Sequence, residues 1–232
     1  MQKEDLIKKN PLRVLNPLDM DSLPDHRMGL VMARAGLGKT AILVQIAMDS
    51  MLQDQKVLHV SIGEDLEKAK AWYDDIFNYV AEGYQLENAP EIESKLMRNR
   101  MIMTFKEAAF SRLKLEERLN DFIYQNIFRP DIVVIDGYDF AEADYEAIMD
   151  LKEMMASMNV QVWFSALRHR EDGRVSTAGV PAPCHEFDGL FDTVIIVQPE
   201  KESILLNIIK DEYDGAAGKI LNLDPSTMMV RK

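Results

Sequence analysis

Short apolar runs alternate with amphipathic stretches along most of this chain, and this alternation predicts strands that alternate with helices. Apolar runs of strand length, bounded by polar or turn residues, are typical of strands buried on both faces of a sheet. They predict strands at residues 29–32, 56–62, 101–105, 131–136, 160–166, 193–197, 203–209, 219–223 and 228–231. Apolar positions at helical spacing predict helices from residue 41 onward and over residues 66–82, 91–98, 110–128 and 143–158.

This order of elements predicts an α/β fold with three layers. Strands that alternate with helices form a mostly parallel central sheet with helices on both faces. The last four predicted strands lie close together, so the C-terminal end is expected to be β-rich. Residues 1–27 contain three prolines and no sustained periodicity, which predicts an irregular N-terminal segment followed by one domain at 28–232.

The first predicted strand leads directly into a glycine-rich turn and then into an apolar helix. A turn of this kind lets successive backbone N–H groups converge on a polyphosphate, and the following helix directs its positive end at the same anion. Lys39 is expected to reach the phosphate oxygens, and the Thr40 hydroxyl to hold a magnesium ion. The alternative is a chance glycine-rich turn. The candidate nucleotide-binding residues of this P-loop are Ala33, Arg34, Ala35, Gly36, Leu37, Gly38, Lys39, Thr40 and Ala41.

Two further carboxylates follow predicted strands, where ligands of parallel sheets bind. Asp136 ends an apolar strand and is expected to hold magnesium beside Thr40, although an acidic cap of the next turn is the alternative. Glu64 follows another strand after one glycine, and a carboxylate there could orient and deprotonate an attacking water. Asp65 competes for this role, and either residue could instead cap the following helix.

These segments together resemble the ATPase domain of the DnaB-type replicative helicases, and more broadly RecA and the KaiC clock ATPases. The resemblance rests on the P-loop, on the strand before Glu64, on the strand that ends in Asp136, and on the stretches 165–170 and 210–218. It implies a RecA-like P-loop fold that binds ATP with Mg²⁺. It also implies that Arg168 or His169 senses the γ-phosphate. The resemblance further implies that Lys210 contacts a nucleotide, which in the family is the one bound to a neighbouring subunit.

Two departures from that family change the expected function. Glu212 stands where the family has the arginine of its lysine-x-arginine pair, and Ala166 stands near its sensor glutamine. A carboxylate beside a γ-phosphate would repel it, and alanine offers no polar group. The sequence therefore predicts a slow, magnesium-dependent ATPase without helicase activity of its own. The alternatives are a nucleotide-binding regulatory or scaffolding module without turnover, and a DNA-associated helicase or recombinase paralogue.

Composition and charge narrow the range of partners. The 232 residues carry a net charge of −12, whereas nucleic-acid-binding proteins usually present a basic face. Arg168, Arg170 and Arg174 form a basic loop whose positive charge Glu171 and Asp172 reduce.

No apolar run reaches the ~20 residues of a membrane span, and a single cysteine suggests a reducing cytoplasm. ATP is the expected ligand, with another copy of the chain or a second protein as a candidate partner.

Overall fold

The computed structural model describes residues 3–10, 26–168, 172–213 and 215–225, and the following elements lie within them. The strands are β1 (Met28–Ala33), β2 (Val57–Ile62), β3 (Arg100–Phe105), β4 (Ile132–Asp136), β5 (Gln161–Leu167), β6 (Thr193–Pro199), β7 (Ile204–Asp211) and β8 (Ile220–Leu223). The α-helices are α1 (Lys3–Lys9), α2 (Lys39–Leu52), α3 (Leu66–Gly83), α4 (Ala89–Arg98), α5 (Arg112–Tyr124) and α6 (Tyr145–Ser157). Single turns of 3₁₀ helix occupy Glu107–Ala109, Cys184–Glu186 and Asp188–Leu190.

The eight strands form one sheet in the order β3-β2-β4-β5-β1-β6-β7-β8. Strands β1 to β6 are parallel, whereas β7 and β8 return antiparallel beside β6. The expected α/β class with a mostly parallel sheet and a β-rich C-terminal end is therefore confirmed. We call the edge where the parallel strands end the carboxyl edge, and the opposite one the starting edge.

Helices cover both faces of the sheet, as the alternating side chains of β1 illustrate. Leu30 packs into a cluster that includes Leu115 of α5 and Leu151 of α6. Val31 points to the other face and belongs to a cluster with Leu43 of α2 and residues of α3 and α4. Because both faces of β1 are buried, its sequence is a continuous apolar run rather than an alternating one.

The predicted strands between residues 29 and 223 all exist, and each end lies within two residues of the prediction. The strand predicted at 228–231 lies outside the described residues. The helix predicted at 110–128 is shorter, Arg112–Tyr124. It begins after Ser111, whose hydroxyl accepts a hydrogen bond from the Lys114 N–H at 3.3 Å, and serine is a favoured residue at this position.

The expectation of an irregular segment at 1–27 is wrong for its first part, where α1 forms. Leu6 is buried against the cluster that contains α2, and Lys3 lies 3.7 Å from Asp54 just beyond the end of that helix. Such a short helix is marginal in isolation and depends on tertiary contacts, so it leaves little periodicity in the sequence. The prolines at 11, 17 and 24 lie outside the described residues.

A buried charge network joins the C-terminal hairpin to β1 at the starting edge. Arg27, with 2% of its side chain exposed, donates to Asp211 at 2.5 Å and to Thr193 at 2.8 Å. Asp211 also accepts hydrogen bonds from the Thr193 hydroxyl and the Ala216 N–H, both at 3.0 Å. Asp192 accepts from the Met28 N–H at 2.7 Å. These bonds fix the position of β1, the strand that leads to the P-loop.

Two further observations concern membrane-spanning helices and the single cysteine. Within the described ranges, no helix has the length and apolarity that crossing a bilayer requires. Cys184, the chain's single cysteine, is fully buried, and burial raises the pKa of its thiol. A protonated, enclosed thiol of this kind is chemically inert.

Candidate functional site

The glycine-rich turn lies at the carboxyl edge, between β1 and α2. Gly36 and Gly38 have φ angles of 71° and 81°, the left-handed region that favours glycine. Gly38 precedes the first turn of α2, and no side chain caps that end of the helix. The turn therefore presents backbone N–H groups and a helix N-terminus at one exposed place, which is the geometry that binds anions.

Thr40 and Asp136, which are far apart in sequence, meet beside this turn. The Thr40 hydroxyl donates to the Asp136 carboxylate, with 2.6 Å between the two oxygens. The strand order produces the contact, because β5 alone lies between β1 and β4 and both strands end at the carboxyl edge. A hydroxyl and a carboxylate in contact supply the oxygen ligands that Mg²⁺ prefers.

Ser165 of β5 fixes the orientation of the Asp136 carboxylate. Its hydroxyl donates to the other Asp136 oxygen and accepts a hydrogen bond from the Gly137 N–H at 3.2 Å. Ser165 is buried in an otherwise apolar strand, and sequence reasoning gave it no role of its own. A polar residue that interrupts a buried apolar strand is the signal that could have identified it.

Lys39 begins α2 and is partly buried beside the same carboxylate. Burial lowers the pKa of its ammonium group, and the negative charge of Asp136 opposes that shift. A partly desolvated cation interacts more strongly with an anion than an exposed one does. Lys39, Thr40 and Asp136 thus form one compact group at the carboxyl edge, as the sequence predicted.

Gly137 allows β2 and β4 to approach each other at this edge. Its φ is 87°, and a Cβ atom there would lie 2.3 Å from the carbonyl oxygen of Ile62. Sequence reasoning also missed this residue. The close approach sets the position of Asp136 relative to the segment that carries Glu64.

We expect Gly137→Ala to lower the free energy of unfolding by about 1–3 kcal/mol, because strained backbone and overpacking each cost this much. Urea denaturation of both proteins measures the change. Gly189→Ala is the matched control, since a Cβ there would meet no atom within 4 Å. Equal unfolding midpoints for the two variants would contradict the close approach.

Glu64 lies in the turn after β2, at the same edge as Asp136. Its side chain is 37% exposed and forms an ion pair with Lys68, one turn into α3. The neighbouring Asp65 caps α3 by accepting a hydrogen bond from the Lys68 N–H at 2.8 Å. The capping alternative therefore applies to Asp65, whereas the Glu64 carboxylate pairs with the Lys68 side chain. Lys68, whose pKa is raised chiefly by its hydrogen bond to Glu64, is a partner that sequence reasoning did not find.

The residues expected to sense the γ-phosphate are only partly described. The backbone N–H of Arg168 donates to the Ala33 carbonyl at 2.9 Å, so Arg168 follows β5 directly beside the start of the P-loop. His169 and Arg170 lie outside the described residues. Ala166 is buried, and its neighbour Ser165 is the buried polar residue of this strand.

Lys210 does not lie at the glycine-rich turn of its own chain, in contrast to Thr40 and Asp136. Because β7 is antiparallel, Lys210 stands opposite Val194, near the starting edge. Its ammonium group donates to the Asp188 carbonyl at 2.8 Å and pairs with Glu212 at 2.9 Å. The antiparallel direction of β7 separates Lys210 from the carboxyl edge.

The basic loop after β5 is partly neutralised by its own acidic residues. Arg174 makes hydrogen bonds to both carboxylate oxygens of Asp172, which lowers the pKa of that acid. Within the described residues, no group of three or more His, Cys, Asp or Glu side chains could hold a metal ion by itself.

No protein-family model matches this chain, and the search of curated proteins finds no match to it.

Proposed function

We propose that this protein binds ATP together with Mg²⁺ and hydrolyses it slowly, as a RecA-like P-loop ATPase without strand-separating activity of its own. The contact between the Thr40 hydroxyl and the Asp136 carboxylate is the observation that carries the proposal. In P-loop proteins these two residue types hold the magnesium ion next to the phosphates. Their meeting across the sheet makes a chance glycine-rich turn a poor explanation of residues 33–41.

Each part of the site has a separate task in this proposal. The backbone of the turn at Gly36–Gly38 surrounds the phosphates, and Lys39 neutralises their terminal oxygens. Thr40 and Asp136 would hold the magnesium ion, which supplies further neutralisation of the phosphate charge. Ser165 keeps the Asp136 carboxylate in one orientation by occupying one of its oxygens.

Glu64 is the proposed general base. A water aligned with the γ-phosphate would lose its proton to this carboxylate. Glu64 follows the end of β2, and Asp136 ends the neighbouring strand β4. Lys68 forms an ion pair with Oε1 of Glu64 in the structure, and the second carboxylate oxygen would accept the proton from water.

Glu64→Gln is expected to reduce kcat for ATP hydrolysis by about 100-fold or more, because general bases contribute about 10²–10⁴-fold to a rate. ATP affinity is expected to stay close to that of the wild type, since the amide keeps the shape of the side chain. Phosphate release and calorimetry measure the two quantities. Glu67→Gln serves as the control, since Glu67 is exposed in the first turn of α3 and likewise pairs with a lysine, Lys70.

A nucleotide-dependent switch without turnover is the second candidate. Two observations favour it, namely the ion pair that occupies Glu64 and the absence of a polar side chain at Ala166. Tight ATP binding with phosphate release at the background rate, unchanged in Glu64→Gln, would establish this candidate and exclude the ATPase.

DNA translocation is not part of the proposal. The net charge is −12, and the guanidinium of Arg174 is engaged by Asp172 within its own loop. Lys210 is likewise engaged by Asp188 and Glu212, so the hairpin offers a neighbouring subunit no unpaired cation at that position. Salt-dependent retention of the protein on single-stranded DNA would favour the helicase or recombinase paralogue instead.

A further inference from the structure

We propose that a cleft next to the P-loop binds the base of the nucleotide, with Trp72 and Tyr79 of α3 as its aromatic wall. This inference rests on the proposed function, because the nucleotide must first be held by its phosphates. It goes beyond that function by naming the residues that recognise the base of the nucleotide.

The cleft has a volume of about 460 Å³ and shares its lining with the phosphate-binding turn. Gly36, Leu37 and Gly38 form one end of it. Small-molecule sites are typically clefts of about 300–1,000 Å³ with mainly apolar and aromatic walls. A ligand whose phosphates lie on the turn therefore has a cavity of suitable size immediately beside them.

One helix supplies the aromatic wall because of its residue spacing. Trp72 and Tyr79 are seven residues apart, so they lie two turns apart along the same side of α3. Tyr79 is 51% exposed although the adjacent face of α3 is buried in the core. Half-exposed aromatic side chains in a concave site offer flat surfaces on which a base can stack.

The turn between β6 and β7 also contributes to the lining. Pro199 and Ile204 flank this turn and add apolar surface to the cleft. Among the described residues, Asp75 is the only charged side chain in the lining. A carboxylate repels phosphates, whereas Lys39 attracts them, so the two charges orient the nucleotide with its base in the cleft.

Tripolyphosphate, which has the phosphates of ATP but no base, separates the two sites experimentally. We expect wild-type protein to bind ATP more tightly than tripolyphosphate in calorimetry with Mg²⁺. Trp72→Ala should weaken ATP binding between about 5-fold and about 150-fold, the usual loss when a stacked aromatic is removed, and leave tripolyphosphate binding unchanged.

Tyr79→Ala gives a second variant in case Trp72→Ala does not fold, since Trp72 also packs against the core and Tyr79 is half exposed. Tyr124→Ala, which removes an aromatic ring that is 84% exposed outside the cleft, is the matched control and should bind ATP normally. Tryptophan fluorescence provides an independent measurement. ATP should quench it, tripolyphosphate should not, and the quenching should disappear in Trp72→Phe.

The outcomes distinguish the two proposals. Equal affinity of the wild type for ATP and tripolyphosphate, or unchanged ATP binding in both Trp72→Ala and Tyr79→Ala, overturns the base site and leaves the P-loop assignment standing. Failure of the wild type to bind either ligand overturns the proposed function, and the base site with it.

Discussion

Replacement of Lys39 by alanine is expected to weaken ATP binding by about 30-fold or more. The ammonium group is partly buried beside Asp136, so its contact with phosphate is made in a partly desolvated place. Removing one member of a buried, hydrogen-bonded charge pair costs about 2–5 kcal/mol, which is a loss of about 30-fold or more in affinity. Calorimetric titration with ATP and Mg²⁺ measures this loss.

Lys114→Ala is the control for the removal of a positive charge, since Lys114 is exposed on α5. It should bind ATP as the wild type does. Thermal unfolding of Lys39→Ala should remain close to that of the wild type, because the lysine side chain is only partly buried. Unchanged ATP affinity in Lys39→Ala would refute the phosphate-binding role of the turn.

Asp211→Ala is expected to lower the free energy of unfolding more than Gly137→Ala or Lys39→Ala does. The Asp211 side chain is fully buried and accepts hydrogen bonds from Arg27, Thr193 and the Ala216 N–H. Its removal leaves the guanidinium of Arg27 buried without its carboxylate, and such a loss costs about 3–5 kcal/mol. In a protein of this size, each kcal/mol corresponds to about 2–4 °C in Tm, so a fall of roughly 6–20 °C is expected.

Differential scanning calorimetry and urea unfolding measure this effect. Asp150→Ala, at an exposed position of α6, removes the same group from the surface and should change the free energy of unfolding by less than about 0.5 kcal/mol. If the two variants were equally stable, the network at the starting edge would contribute nothing to holding β1 and the C-terminal hairpin together.

The buried network holds the starting end of β1, and the glycine-rich turn follows the other end of the same strand. Loss of the network is therefore expected to affect the site as well as stability. Arg27 precedes β1, and the P-loop follows it. Weakening the network is therefore expected to shift the whole strand and its turn, whereas changing Lys39 alters only the ligand contact. Comparing Asp211→Ala with Lys39→Ala therefore distinguishes ATP binding that is lost because the protein unfolds from ATP binding that is lost because a phosphate contact is removed.

Much of the fold was predictable from the sequence because local signals agreed with the tertiary structure. The apolar runs of the parallel strands are continuous, since both faces of the sheet are covered, and this made their limits clear. The glycine-rich turn was predictable for the same reason, since the turn and the helix that follows it are made of consecutive residues. The short helix α1 was not, because Leu6 contributes to it only through contact with a distant part of the chain.

The sequence by itself determined the α/β class, the position of the glycine-rich turn and the carboxylates that follow strands. Only the tertiary structure decided which of these residues meet. It paired Thr40 with Asp136, added Ser165 and Gly137 to that contact, and moved Lys210 away from the site. The physical reason is that strand order and strand direction are set by packing over the whole sheet, while a motif reports only on its own few residues.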